Sequence, residues 1–504
     1  MIKLIYRIES DYMSKKRMLI VTSVTLSVVT ISLGIVKLYQ TYALSNYIGT
    51  VTDTGIDVYI NDDSYASIPA NGSSNVYYML TNTNPGTVKY GVAYQTTSGV
   101  TVKVYDTSED PATGTIEEND KKYIKLHLEN KNSTNKTIEL STVLGYENGG
   151  DLVVPSGVTL VTDTYTPPPT AAEYITKLYT TASKTTVTNN SITYNTAPSV
   201  SLMNDRLGGT TTDLDGGNIR YYGASPNNYI YFNCSDYSNQ TSSTCETWRI
   251  IGVFDGKLKL IRGSQIGTYS WDNKDTSTGA ESNFGKNDWT TARLMKLLNP
   301  SDYYTTDSND NNLGQGLYYN SASGKCYSGQ NNATVDCNFT STGIKNDITR
   351  NMIAETTYNL GGWNSNTVYP NLMYEKERGT TVYTGRPTTP WTGKIALAYT
   401  SDYGYAADLN QCKDKTLYDY NNSTCTSNNW MKAIITNNGS NSGWLLTPYC
   451  STSSNVWYVY PVGNVYFNYT VYSAFGAVPV LSLSSKLGIE SGDGSSSNPY
   501  KLSA

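Results

Sequence analysis

A chain of 504 residues exceeds what one hydrophobic core usually serves and predicts two or three domains. Only 16% of its residues are Asp, Glu, Lys or Arg, against about 25% in an average globular protein. The net charge of -5 offers no basic footprint for nucleic acid, and a single histidine, His127, excludes two-histidine metal sites and relays within one chain.

In chain order, a basic segment over residues 1–17 ends in Lys15, Lys16 and Arg17, ahead of the uncharged, proline-free run Met18 to Val36. This pattern predicts a transmembrane signal anchor over 18–40, with the amino terminus cytoplasmic and the rest extracellular, on a cell membrane crossed once. A cleavable signal peptide is the alternative, since Thr41 and Ala43 form a small-residue cleavage site. Over 45–165, seven alternating runs from Ile56–Ile60 to Leu152–Leu160 predict an Ig-like β-sandwich acting as a stalk, with His127 in one strand as a structural or solvent-facing residue. Pro167 to Pro169, then Thr170 and Glu173 in capping-box spacing, predict a linker and short helix over 166–200. Residues 201–485 mix short strands with few helices, and 486–504 read as a tail with a turn and a last strand. The fold class expected is therefore mainly β with some α.

Seven cysteines suit an oxidising compartment when most are paired. Cys234 with Cys245, Cys326 with Cys337, and Cys412 with Cys425 fall in neighbouring couples, each closing a short polar loop worth about 3 kcal/mol in the chain-entropy model. Cys450 is left over, as a free thiol or as one half of an intermolecular pair.

Within 230–485 the tryptophans stand in distinctive settings: Trp248-Arg249 in a hairpin turning at Asp255-Gly256, Trp271-Asp272, Trp289 opening a helix, Trp444-Leu445-Leu446-Thr447-Pro448, a turn at Gly463-Asn464, and a closing Gly476-Ala477-Val478-Pro479-Val480-Leu481. This layout resembles a family of bacterial surface-protein domains of unknown function, similar to the C-type lectin and formylglycine-generating-enzyme fold. The resemblance implies a lectin-like α+β domain over 201–485. Val478 stands where that family usually carries arginine, so a charge at that point of the last strand is not expected.

The chain holds 45 Tyr beside 6 Phe and 8 Trp, and tyrosine suits half-wet recognition surfaces because its ring packs while its hydroxyl stays hydrogen-bonded. Tyr449, Ser451, Ser453, Asn455, Tyr458, Tyr460, Tyr466, Asn468, Tyr469 and Tyr472 interleave with scaffold residues near the carboxy end. Alternation along 456–460 places Trp457 and Val459 on a packing face, with Tyr458 and Tyr460 on a binding face. The segment is similar to the variable regions of retroelement-diversified proteins. The expected function is recognition or adhesion, these ten residues binding a glycan or protein ligand without cofactor or metal. Asp307, Asn309, Asp310 and Asn312, or Asp213 and Asp215, are calcium candidates that lack the EF-hand spacing. The alternatives are a surface enzyme on the same fold, needing carboxylates such as Asp272 and Asp288 to converge, and a purely structural envelope protein.

Overall fold

The computed structural model describes residues 44–503 apart from 53–54, 60–64, 83–85, 146–151, 153, 206–216, 274–283, 306–312, 380, 384–385 and 388–389. The protein is mainly β, 38% strand and 15% helix, in several sheets. It divides into two compact units, residues 1–167 and 168–504. No helix among the described residues is long and apolar enough to cross a membrane. The expected span, 18–40, lies outside the described residues, and the single-pass membrane placement built on it is withdrawn.

The first unit has one six-stranded and one five-stranded sheet sharing an apolar core. Strands Gly72–Asn82 and Lys121–Asn130 pair antiparallel, and their inward positions Val76, Tyr78, Leu80, Ile124, Leu126 and Leu128 are buried by the period-two alternation of a strand. Each such aliphatic side chain contributes about 1.5–3 kcal/mol of transfer free energy. Of the seven runs read as strands, the last shortens to Val158–Leu160, because Pro155 precedes it and Gly157 turns at φ 82°. Tyr65–Ile68 and Thr113–Ile116 are additional short strands.

His127 points away from this core yet is only 5% exposed, because the Tyr165 ring stacks on it at 3.6 Å and Tyr105 meets it edge-on. Its Nδ1 lies 2.7 Å from Asn75 Oδ1 and its Nε2 3.4 Å from Glu129 Oε1. Burial, partly opposed by Glu129, holds its pKa below the ordinary 6.5. The unfolded chain therefore binds the proton more readily, and this contribution to stability is complete above about pH 6.5 and lost as pH falls through the lower folded value. Amide hydrogen exchange in strands 72–82 and 121–130 is expected to accelerate between pH 7.5 and 5.5, after correction for intrinsic rates. His127→Gln should remove that acceleration, and an unchanged pH profile in the variant would refute the assignment.

The second unit centres on the hairpin Glu246–Phe254 and Lys257–Arg262. Asp255 at φ 48° and Gly256 at φ 70° supply the two left-handed residues that a two-residue hairpin turn requires. Gly252 sits at a bulge in the hairpin's own pairing and close to the neighbouring strand, where a Cβ would lie 2.0 Å from the Ile219 carbonyl oxygen. Ile219–Tyr221 flanks the hairpin on one side, while Val480–Ser482 and then Ile395–Ala396 flank it on the other. A second sheet of five strands runs Thr268–Tyr269, Phe475–Gly476, Gly443–Pro448, Val456–Val459, Val465–Tyr466. Trp248, Trp271, Trp289, Trp444 and Trp457 are all essentially buried. Most of these indoles donate to a carbonyl, as Trp271 does to Leu445 at 3.0 Å and Trp444 to Tyr269 at 2.8 Å.

The boundary between the two units falls in the Pro167–Pro169 run of the expected linker, but the rest of 166–200 is built into the second unit. The predicted capping box forms at Thr170 and Glu173, but helix Ala171–Thr181 buries Ala171, Ala172, Ile175 and Tyr179 in the second unit's core. The hairpin Thr185–Asn189 and Ile192–Ala197 continues the large sheet. The tail is likewise structural: Gly488–Ser491 pairs with Lys501–Ser503, and Tyr500 exchanges backbone hydrogen bonds with Tyr229 and Tyr231. Nonlocal pairing decides both segments, which local turn chemistry does not reveal.

The three expected disulfides form. Cys450 is a free, half-buried cysteine, and burial pushes its thiol above 9.0. One thiol per chain should alkylate without reduction, slowly at neutral pH and faster above pH 9, as peptide mapping of the labelled chain will show. Label on any of the other six cysteines would contradict the pairing.

Candidate functional site

Strand Val456–Val459 lies between two cores. Trp457 and Val459 join one, while Val456 and Tyr458 join the other, so no face of this strand meets solvent. Tyr458 is therefore 1% exposed and does not belong to a binding face, which corrects the alternation reading. Its hydroxyl donates to Asn468 Oδ1, and burial holds the phenol far above its ordinary pKa.

The neighbours of Tyr458 do reach the surface. Tyr466 lies 6.2 Å from it, Tyr469 5.6 Å and Phe475 4.9 Å by ring centroids, and Tyr460 sits edge-on to Tyr466 at 5.6 Å. Tyr418 meets Tyr466 edge-on at 4.9 Å, and a hydrogen bond with Tyr466 pushes its phenol pKa up. These contacts build a ladder of rings anchored on Tyr458 and Trp444 below. Tyr460 is 40% exposed and Tyr469 47%, beside exposed Val462 and Asn468. Gly463 at φ 107° makes the turn that sends the two strands of the ladder back against each other. Sequence reasoning missed Tyr418, which comes from a distant loop beside the Cys412–Cys425 disulfide.

The other predicted residues fall outside the ladder. Tyr449 stacks on Phe467 at 4.1 Å, and Asn455 donates to the Phe467 carbonyl at 3.0 Å. Asn287 pins this loop by donating to the carbonyls of Tyr449, Thr452 and Asn455 and, through its backbone N–H, to Ser453. Ser451 is exposed at the loop tip. Tyr472 stacks on exposed Phe284 at 5.8 Å. Tyr449, Ser453 and Asn455 thus serve a fixed loop.

A polar cluster that no sequence signal announced lies deeper. Asp402 accepts from Arg220 Nη1 at 2.8 Å, from Lys259 Nζ and from the Tyr399 N–H at 3.0 Å, while Asp205 accepts from Arg220 Nε and Asn218. Two cations thus face two carboxylates. A cavity of about 430 Å³ opens beside the cluster and is lined by Lys259, Tyr358, Tyr374, Arg378 and Tyr399 among others. Glu377 is fully buried, accepts from Ser401 and Thr447, and is pushed up by burial; neither it nor Asp402 lines the cavity.

Asp272 accepts from the backbone N–H groups of Lys286 and Arg293, and Asp288 caps Thr290 and pairs with Lys286 at 3.4 Å. Both serve local structure. Among the described residues no group of three or more His, Cys, Asp or Glu side chains could hold a metal ion. The calcium candidates Asp213, Asp215, Asp307, Asn309, Asp310 and Asn312 lie outside the described residues.

Comparison with family models and with curated proteins finds no match. Among solved structures, part of the chain is matched to the envelope protein VP37 of White Spot Syndrome Virus, at 15% identity over 21% of this chain and 97% of that one. The TM-score is 0.13, too low to carry an argument about fold or function.

Proposed function

We propose that the second unit is a recognition module whose exposed tyrosine ladder binds a glycan. The observation that carries this reading is the exposure of Tyr460 and Tyr469 at the end of a packed series of rings. Rings held from below keep their orientation, so little side-chain entropy is lost when a sugar face stacks on them. Asn468 adds an exposed polar side chain of the kind that selects among hydroxyl patterns. The disulfides fit a chain that folds in an oxidising compartment.

The lectin-like reading of 201–485 and the Ig-like reading of the first unit are part of the same proposal. The buried Trp248, Trp271, Trp289 and Trp444 support the former as scaffold, and the two sheets around one core support the latter. The idea of a variable segment narrows to the exposed Ser451, Tyr460, Asn468 and Tyr469, of which Asn468 also holds the buried Tyr458 hydroxyl. A glycan array probed with the whole chain tests the function. Binding to a defined set of sugars is expected; a blank array alongside saturable binding to a protein would replace the glycan with a protein ligand.

A further inference from the structure

Arg249, in strand Glu246–Phe254, is only 7% exposed. Its Nε donates to Asn228 Oδ1 and its Nη2 to the Pro226 carbonyl at 3.2 Å. Its guanidinium lies 3.6 Å from the centroid of the Tyr229 ring and 5.0 Å from that of Trp430. No carboxylate among the described residues pairs with it. It lines a cavity of about 420 Å³, within the size range of small-ligand sites. The acid that shares this cavity, Glu246, is committed elsewhere: both its oxygens accept from Arg262, at 3.0 and 3.1 Å, and one also accepts from the Trp248 indole.

Buried cations are normally paired, since losing hydration without a counter-ion is costly. Arg220, 1% exposed, meets two carboxylates. Arg249 meets neutral carbonyl oxygens and aromatic faces, and burial lowers its pKa to about 10, which leaves it cationic at neutral pH. Its Nη1 donates to none of the described residues, while Thr247 and Ser264 line the same cavity.

We infer that this cavity binds the oxyanion of a small acidic ligand, a carboxylate or a sulfate ester, with Arg249 as its counter-ion. The site shares no residue with the tyrosine ladder, so either can fail alone. Calorimetric titration of the whole chain with glucuronate, glucose 6-sulfate and neutral glucose tests it. At least one of the two acids should bind while glucose does not, and which acid binds separates the carboxylate from the sulfate ester. Arg249→Met should weaken that binding by tenfold or more. Should that variant fail to fold, Ser264→Trp, which fills the cavity and leaves the hydrogen bonds of Arg249 in place, should abolish it instead. Failure of both acids to bind the unmodified chain, or undiminished binding in a folded variant, would overturn the inference.

Discussion

Asp402→Asn is expected to destabilise the second unit by about 3–5 kcal/mol, the usual cost of stripping one partner from a buried ion pair. The substitution leaves buried Arg220 with Asp205 alone and strips buried Lys259 of the carboxylate it pairs with. Burial raises the Asp402 pKa, but Lys259 and Arg220 outweigh it and hold the carboxyl below its ordinary value. The stability this charge contributes is thus present above the ordinary carboxylate range and is lost as pH falls through the lower folded value. Asp402→Leu combined with Lys259→Met should cost clearly less than Asp402→Asn, because it removes charges of both signs together. Urea unfolding at pH 7 measures all three chains. A loss below about 1 kcal/mol for Asp402→Asn would mean that water reaches the cluster and that the charges are not truly buried.

The second large effect concerns the ladder. Tyr460→Ala with Tyr469→Ala should weaken glycan binding by about 10- to 100-fold, the range expected when anchoring aromatic residues are truncated. Their exposure, 40% and 47%, means that the melting temperature should barely move. Tyr458→Ala makes the opposite case. It empties a site that is 1% exposed and removes the floor under Tyr466 and Tyr469, so it should cost about 3 kcal/mol or more of stability. If the exposed pair alters stability and not affinity, the ladder is only an edge of the core.

What the sequence revealed was local. The capping box at Thr170, the Asp255-Gly256 turn and the three disulfides rest on partners no more than 13 residues apart, and each formed where expected. Tyr458 was misplaced because alternation assumes that one strand face meets water, whereas Val456–Val459 is covered on both. Tyr418 completes the ladder from a loop nearly 50 residues away, and Arg220, Lys259 and Asp402 converge from three separate segments. No periodicity encodes such convergence. The helix of 171–181 was legible as a helix, but its stripe of Ala171, Ile175 and Tyr179 carried the further message that it packs on a core.

The most direct test of the recognition reading is tyrosine nitration mapped by mass spectrometry, with and without the glycan that binds most tightly. In the free protein Tyr460 and Tyr469 should react readily and the buried Tyr458 should not. Saturating glycan should protect Tyr460 and Tyr469 and leave the first unit's exposed Tyr65 and Tyr123 unchanged. Protection confined to other tyrosines, with Tyr460 and Tyr469 still reacting at full rate, would place the ligand elsewhere and contradict the assignment of the ladder.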